Sequence, residues 1–237
     1  MKKTTSLATL GLGLLLLAAE AAGAQYGSMY PVPEVQSNTA PAALTAPAAP
    51  ALVLRGAACA VQRDPALADA LLATVPRSAD ERSQALAFLR VARRCANLPA
   101  QVATSAATLR GAAAESLYEA RFAVPPSPHT PALAAAPIAR PAPSADPAIA
   151  ALGPAFTLAE CAAARAPELI RALLVAEPMT PPERDGFAVL QPVFTLCLPT
   201  GSQLQVDARG LRSLLAEALY RWSVVQRDGP GSAWAAR

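Results

Sequence analysis

Between Leu211 and Trp222 the apolar residues Leu211, Leu214, Leu215, Ala218, Leu219 and Trp222 recur at i, i+3, i+4, i+7, i+8 and i+11. That spacing lays them along one face of an α-helix. A close version of the same stretch occurs earlier in the chain. LRGAAAESLYEA (109–120) and LRSLLAEALYRW (211–222) agree at six of twelve positions, at an offset of 102. The agreement extends well beyond this helix. With Cys59 set on Cys161, residues 51–122 align with 153–224 without a gap, and Cys95 falls on Cys197. Arg63, Pro65, Leu67, Leu71, Leu72, Pro76, Glu81 and Arg82 all meet identical residues in the second copy. The pattern predicts an internal duplication of a unit of about 70 residues.

Each copy reads as helical. Asp64 is placed to cap a helix that begins at Pro65, carries Leu67, Leu71 and Leu72, and stops near Pro76. Ser78-x-x-Glu81 is a capping box, and Thr180-x-x-Glu183 repeats it with Pro181 in the first turn. The helix that follows carries Leu86, Leu89 and Arg90 in one copy and Val189, Leu190 and Val193 in the other, where Pro192 should bend or shorten it. QVAT and QLQV, just before the last helices, read as short extended pieces. In the last helix Leu215, Leu214 and Trp222 stand where the first copy has Ala113, Ala112 and Ala120. The second copy should therefore fill its core better, leaving Phe88 or Phe122 to supply volume in the first.

Outside the copies the periodicity disappears. Residues 25–50 and 123–152 are rich in proline and alanine and read as extended, partly polyproline segments. Residues 225–237 read as a flexible tail. Residues 1–24 have the form of a secretory signal. Lys2 and Lys3 precede an apolar run from Leu7 to Ala19, and Ala22-Gly23-Ala24 supplies the small residues of a cleavage site before Gln25. Glu20 ends the run short of a membrane span, and no transmembrane segment is expected after cleavage.

Composition narrows the chemistry. Removing the signal takes away both lysines and one glutamate, so the net charge falls from +3 to +2 and every remaining basic side chain is an arginine. That charge is too small to suggest nucleic acid as a partner. Without lysine there is no Schiff base, no phosphate-loop lysine and no Ser-Lys dyad. The single histidine, His129, lies in the proline-rich linker, which argues against a Ser-His-Asp triad, a Cys-His pair or a histidine zinc site.

The cysteines suit an exported chain. Neighbouring cysteines of each pair lie 36 residues apart, so they do not resemble the close pairs of a zinc site or a CxxC redox motif. The duplication predicts the bonds Cys59–Cys95 and Cys161–Cys197, one inside each copy. Closing such a loop contributes about 4 kcal/mol in the chain-entropy model. That matters for a unit of this size, which is marginal on its own core.

Three groups invite a functional reading. Arg110, Glu115 and Tyr118, with their twins Arg212, Glu217 and Tyr220, suggest a polar pocket used twice. Five residues of helix, however, turn arginine and glutamate of one copy about 140° apart. A structural reading is preferred, with the tyrosine buried and its hydroxyl satisfied, and the arginine paired to Glu81 or a carbonyl. Arg90, Arg93 and Arg94 form a basic cluster in the first copy only. It suits a helix C-terminus and is also a candidate dock for an anionic partner. Glu81 and Glu115 offer an acid–base pair for glycoside cleavage, but aromatic residues for sugar stacking are scarce at 5%.

The expectation is an all-α protein of two tandem duplicated small helical-bundle units, 51–122 and 153–224, each stapled by one disulfide. It is read as a periplasmic or secreted, non-catalytic binding or envelope-associated scaffold that needs no cofactor or metal. The expected partner is an envelope component or another protein. The competing expectation is a small periplasmic hydrolase using carboxylates in a cleft between the units.

Overall fold

The structure, a computed structural model, describes residues 48–99, 102, 104–122, 153–198 and 206–229. The expected signal segment, residues 25–47 of the first proline- and alanine-rich segment, the linker 123–152 with His129, Gln101 and Ala103 of QVAT, residues 203–205 of QLQV and residues 230–237 lie outside them. Residues 48–50, read as part of that first extended segment, instead open a helix. Among the described residues the protein is all-helical, with eight α-helices and no strand. They are α1 (Ala48–Arg63), α2 (Pro65–Ala73), α3 (Ala79–Ala96), α4 (Ala106–Arg121), α5 (Gly153–Arg165), α6 (Pro167–Val175), α7 (Pro181–Cys197) and α8 (Ala208–Asp228).

The helix boundaries follow from local chemistry, with some departures from expectation. Ser78 accepts from the Glu81 N–H at 3.0 Å, and Ser105 and Asp207 cap α4 and α8 by accepting from the N–H of Thr108 and Gly210. Asp64 makes no capping bond, so Pro65 alone marks the start of α2. The first capping box is half made, and the second is not made at all. The Thr180 hydroxyl donates to the Glu177 carbonyl at 2.6 Å and does not accept from the helix. Glu81 and Glu183 reach one residue further back than a capping box requires and accept from the N–H of Arg77 (2.6 Å) and Met179 (2.7 Å). Both donors sit at φ 65°, a left-handed bend that turns the N–H towards the carboxylate. Helix α7 continues through Pro192 to Cys197, and the proline lies on the exposed side. Helix α8 runs to Asp228, beyond the expected boundary at 224, because Val225 and Gln226 are buried; Gly229 at φ 94° ends it.

The disulfides pair as the duplication predicted. Cys59–Cys95 ties α1 to α3 and Cys161–Cys197 ties α5 to α7, with Cα–Cα separations of 5.8 and 5.6 Å. Of the residues read on the apolar faces of α3 and α7, Leu190 is fully buried and Leu89 and Val193 pack against the core, whereas Leu86 and Val189 do not. Phe88, Ala85 and Ala92 point inward on α3, and Leu190 and Phe194 on α7, while Leu86 and Val189 face solvent. As anticipated, Phe88 and Phe122 are buried and supply volume that Ala112 and Ala113 do not.

Helices α4 and α8 pass through the middle of the molecule, each buried on all sides over a long stretch, 109–118 and 215–226. The buried apolar side chains of 48–122 and 153–229 consequently form one cluster. Gly111 meets Ser213 where these two helices meet, and the Phe122 and Tyr220 rings lie edge to face with centroids 6.2 Å apart further along. Both contacts occur in the same order along the two helices, so α4 and α8 run in the same direction. A Cβ on Gly111 would fall within 2.5 Å of the Ser213 Cα, which lets only glycine stand there at this separation.

Two substitutions test this packing. Gly111→Ala would gain about 1 kcal/mol from helix propensity alone, but the overlap with Ser213 should reverse the sign and give a net loss of about 1–3 kcal/mol. Leu215, fully buried on α8, should cost about 2–5 kcal/mol when replaced by alanine. Urea unfolding of the two variants measures both; a stabilised Gly111→Ala protein would mean the helices are further apart than described.

Candidate functional site

At the centre, Arg110 lies buried on α4 with all of its guanidinium nitrogens bonded. Its Nη1 donates to the Leu71 carbonyl (2.9 Å) and the Thr74 hydroxyl (3.0 Å), and approaches Glu81 at 3.5 Å. Its Nη2 donates to the Leu72 carbonyl at 2.8 Å. The remaining side of the guanidinium forms a two-pronged pair with Glu217 on α8, at 2.7 and 3.0 Å. One side chain thus takes up the carbonyls left open at the end of α2, the carboxylate at the start of α3 and an acid from the other half of the chain.

Arg212 on α8 repeats the arrangement. It donates to the carbonyls of Leu173 (3.4 Å), Leu174 (2.7 Å) and Ala176 (3.0 Å), to Glu183 at 2.9 Å, and as a fork to Glu115 at 2.7 and 3.2 Å. The arginine and glutamate of one helix therefore do not meet each other. Each arginine takes the glutamate of the opposite helix, five positions beyond its own counterpart, which resolves the 140° between them.

The two pairs differ in charge environment. Glu217 also accepts from Arg221 at 2.7–2.8 Å, and Arg221 donates to the Leu72 carbonyl at 2.6 Å. Burial alone would raise the Glu217 carboxyl, but Arg110 and Arg221 outweigh it and hold it at about 2. Glu115 has one arginine, and the position matching Arg221 is Glu119. Burial, aided by Glu119 and Glu183, leaves the Glu115 carboxyl above its ordinary range despite Arg212. Burial likewise raises Glu81.

At the far end of the helix pair, Arg121 forms a fork with Asp69 of α2 at 2.6 and 2.8 Å and donates to the Tyr220 hydroxyl, which in turn donates to Asp69 at 3.2 Å. The matching place in the other half is built differently. There Tyr118, Phe122 and Glu119 of the first half face Arg171, Leu174 and Val175 of α6 across a shallow cleft of about 160 Å³. Tyr118 is buried as expected, but its hydroxyl, expected to be satisfied, has no hydrogen-bond partner among the described residues, whereas that of Tyr220 is bonded.

The residues singled out in the sequence fall in several places. Arg110 and Arg212 do pair with Glu81, Glu183 and carbonyls, as the structural reading expected, but the pairing across halves was not anticipated. The offset of 107 residues between Arg110 and Glu217 is the 102 of equivalent positions plus the five that separate arginine from glutamate in one copy, so nothing in the sequence marked the crossed pairing. Glu81 and Glu115 belong to different networks, one serving Arg110 and the Arg77 N–H, the other Arg212. Arg90 and Arg94 are exposed and donate back to the Leu86 and Arg90 carbonyls of their own helix, while Arg93 donates to the Val102 carbonyl at 3.3 Å. The cysteines are all bonded.

No group of three or more His, Cys, Asp or Glu side chains suited to a metal occurs among the described residues. Nor is any helix among them long and apolar enough to cross a membrane. No protein-family model, curated protein or solved structure matches this chain.

The contrast between Glu217 and Glu115 fixes an acid response. Glu217 titrates at about 2 in the folded protein against an ordinary 4.5, so its ionised form stabilises the fold. That contribution is present above pH 4.5 and is lost as pH falls towards 2; a shift of this size corresponds to about 3 kcal/mol. Glu115 has the opposite sign, because a raised carboxyl takes up its proton in the folded state first and so contributes nothing to acid loss. In urea unfolding between pH 2 and 7, Glu217→Gln should flatten the loss of stability below pH 4.5, and Glu115→Gln should leave it in place. Equal acid slopes in the two variants would contradict this assignment.

Proposed function

We propose that the chain is an exported, periplasmic or secreted, non-catalytic binding or envelope-associated scaffold built from two duplicated, disulfide-stapled helical units. The observation that carries the reading is that the interior carboxylates are already occupied. Glu81, Glu115, Glu183 and Glu217 are all buried and all paired with buried arginines. The rival hydrolase would need two free carboxylates facing a cleft. The cleft has Glu115 and Glu119 on its wall, and both oxygens of Glu115 accept from Arg212.

The duplication is supported by repeated spacing at several levels. Helices α2, α3 and α4 begin at 65, 79 and 106, and α6, α7 and α8 begin 102 residues later at 167, 181 and 208. The helix caps Ser105 and Asp207, the positive-φ residues Arg77 and Met179, and the two disulfides keep the same offset. Reciprocal contacts of i with i′+5 are those of a two-fold interface. The unit is therefore proposed to descend from one that paired with itself. Two disulfides agree with an oxidising compartment. The exposed Arg90 and Arg94, with Arg93 anchored between them, remain the proposed dock for an anionic envelope component.

Export is tested by expressing the full chain and separating periplasm and medium from cytosol. Mass spectrometry should find a mature N-terminus at Gln25, and non-reducing peptide mapping should find Cys59 linked to Cys95 and Cys161 to Cys197. A full-length cytosolic product that retains Lys2 and Lys3 and carries free thiols would overturn the reading.

A further inference from the structure

Helix α3 turns a row of arginines, broken by one leucine, towards solvent. Arg82, Leu86, Arg90 and Arg94 are all exposed and stand four residues apart, which keeps them within an arc of about 120° on one side of the helix. The exposed Arg55 of α1 lies towards the same end as Arg94, since its neighbour Gly56 packs against Leu98 just past α3. Arg82, Arg90 and Arg94 donate to the main-chain carbonyls of Arg77, Leu86 and Arg90. Arg90 and Arg94 do so through Nε, so their Nη groups have no partner among the described residues. The ion pairs among those residues are made by Arg110, Arg121, Arg212, Arg221 and Arg227, and by none of these four arginines.

Nothing on the two helices offsets this charge. Helix α1 has no acidic residue, and α3 has none after Glu81, which is buried against Arg110. The exposed acids lie at the edges, with Asp80 in the first turn of α3 and Asp64 beside the exposed Arg63 at the end of α1. The places 102 residues further on hold Arg184, Ala188, Pro192 and Leu196, so the row belongs to α3 and is not repeated on α7. The partner of such a face is an anion, and Leu86 narrows its class. Leu86 is 56% exposed in the middle of the arginines. Against a soluble polyanion a leucine between charges adds nothing. Against a phospholipid surface both kinds of side chain are used: guanidiniums bond headgroup phosphates, while Leu86 and the arginine stems reach the acyl boundary.

We propose that this face of α3, with Arg55 beside it, docks the protein on an anionic phospholipid bilayer. The proposal rests on the reading of Arg90 and Arg94 as a dock for an anionic envelope component, and it names the class of that component. A few cations and one apolar side chain give reversible, salt-sensitive attachment to the surface without insertion. No helix among the described residues is long and apolar enough to go further.

The test uses the oxidised chain from residue 25 onwards, which contains every described residue and omits the apolar run Leu7 to Ala19 that would bind lipid by itself. Its binding is measured to vesicles of phosphatidylcholine, to vesicles of phosphatidylglycerol and phosphatidylcholine in equal parts, and to soluble inorganic polyphosphate. Binding to the anionic vesicles should exceed binding to the neutral ones at least tenfold, and about 0.5 M salt should abolish the difference. Each cation near an anionic surface contributes about fivefold, so Arg90→Gln with Arg94→Gln should weaken vesicle binding at least tenfold. Leu86→Ser should weaken it several-fold and leave polyphosphate binding unchanged, and Leu86→Trp should shift its emission to the blue on anionic vesicles. Arg184→Gln on α7 should change nothing. All these positions are exposed, so every variant should keep its melting temperature. Equal binding to both vesicles, no vesicle binding, or unchanged vesicle binding in the double variant or in Leu86→Ser would overturn the proposal. Polyphosphate binding that depends on Arg90 and Arg94, without vesicle binding, would overturn the bilayer and leave the anionic dock standing. Binding to none of the three probes would overturn both, and neither result bears on export.

Discussion

An arginine cannot shed its charge to suit a buried site, and its five N–H groups point in fixed directions in one plane. Placing Arg110 in the interior therefore fixes the positions of everything that must accept from it. The end of α2 has to present the Leu71 and Leu72 carbonyls, the turn after it has to bring Glu81 back, and α8 has to deliver Glu217 edge-on. Arg212 imposes the same order on α6, α7 and α4. Glu81 and Glu183 carry this inward constraint out to the chain's bends, since their other oxygens hold the N–H groups of Arg77 and Met179. Short helices with alanine-rich faces could slide over one another; the forked pairs hold them in register.

Buried ion pairs of this kind are not a large net source of stability, because removing each charge from water offsets much of the attraction. Their role here is geometric selection. The apolar part of the structure supplies the driving force, through Trp222, Phe88, Leu71, Leu117 and Leu215 among the fully buried side chains. The disulfides restrain α1 against α3 and α5 against α7. Neither the core nor the disulfides would by themselves decide how α4 meets α8. The Gly111–Ser213 contact and the crossed arginine–glutamate pairs make that choice.

Much of this was readable from the residues, and the omissions have a common cause. Periodicity and caps located the helices, and the equal spacing of the cysteines gave their pairing. Arg110 was rightly separated from Glu115 by helical geometry, but a one-dimensional angle cannot say that the partner lies on the other helix. Asp64 and Thr180 looked like caps because their residue types suit the role, yet Pro65 sets the helix start and Thr180 bonds a nearby carbonyl. Leu190 was read correctly, but Leu86 and Val189 were placed on the apolar faces by residue type alone, and on α3 the burial follows Phe88, two positions from Leu86. The cleft left no mark in composition or motif. It becomes visible only when Tyr118 and Tyr220 are compared in three dimensions, one hydroxyl bonded and the other not.

The pairing of α4 with α8 also bears on what such a protein is free to become. In a dimer of identical chains every substitution appears twice, so a bridge such as Arg121–Asp69 can be dismantled only by losing it at both ends together. Joining the partners in one chain, as proposed, removes that obligation. One end can then keep its bridge and go on holding the helices, while the other is free to carry Ser223 and Arg171 in place of the bridge. The same holds for Arg221, which neutralises one glutamate, and Glu119, which at the matching position faces a cleft. Covalent linkage thus converts a symmetric joint into a division of labour, with the retained half of the symmetry serving as the scaffold on which the other half can change.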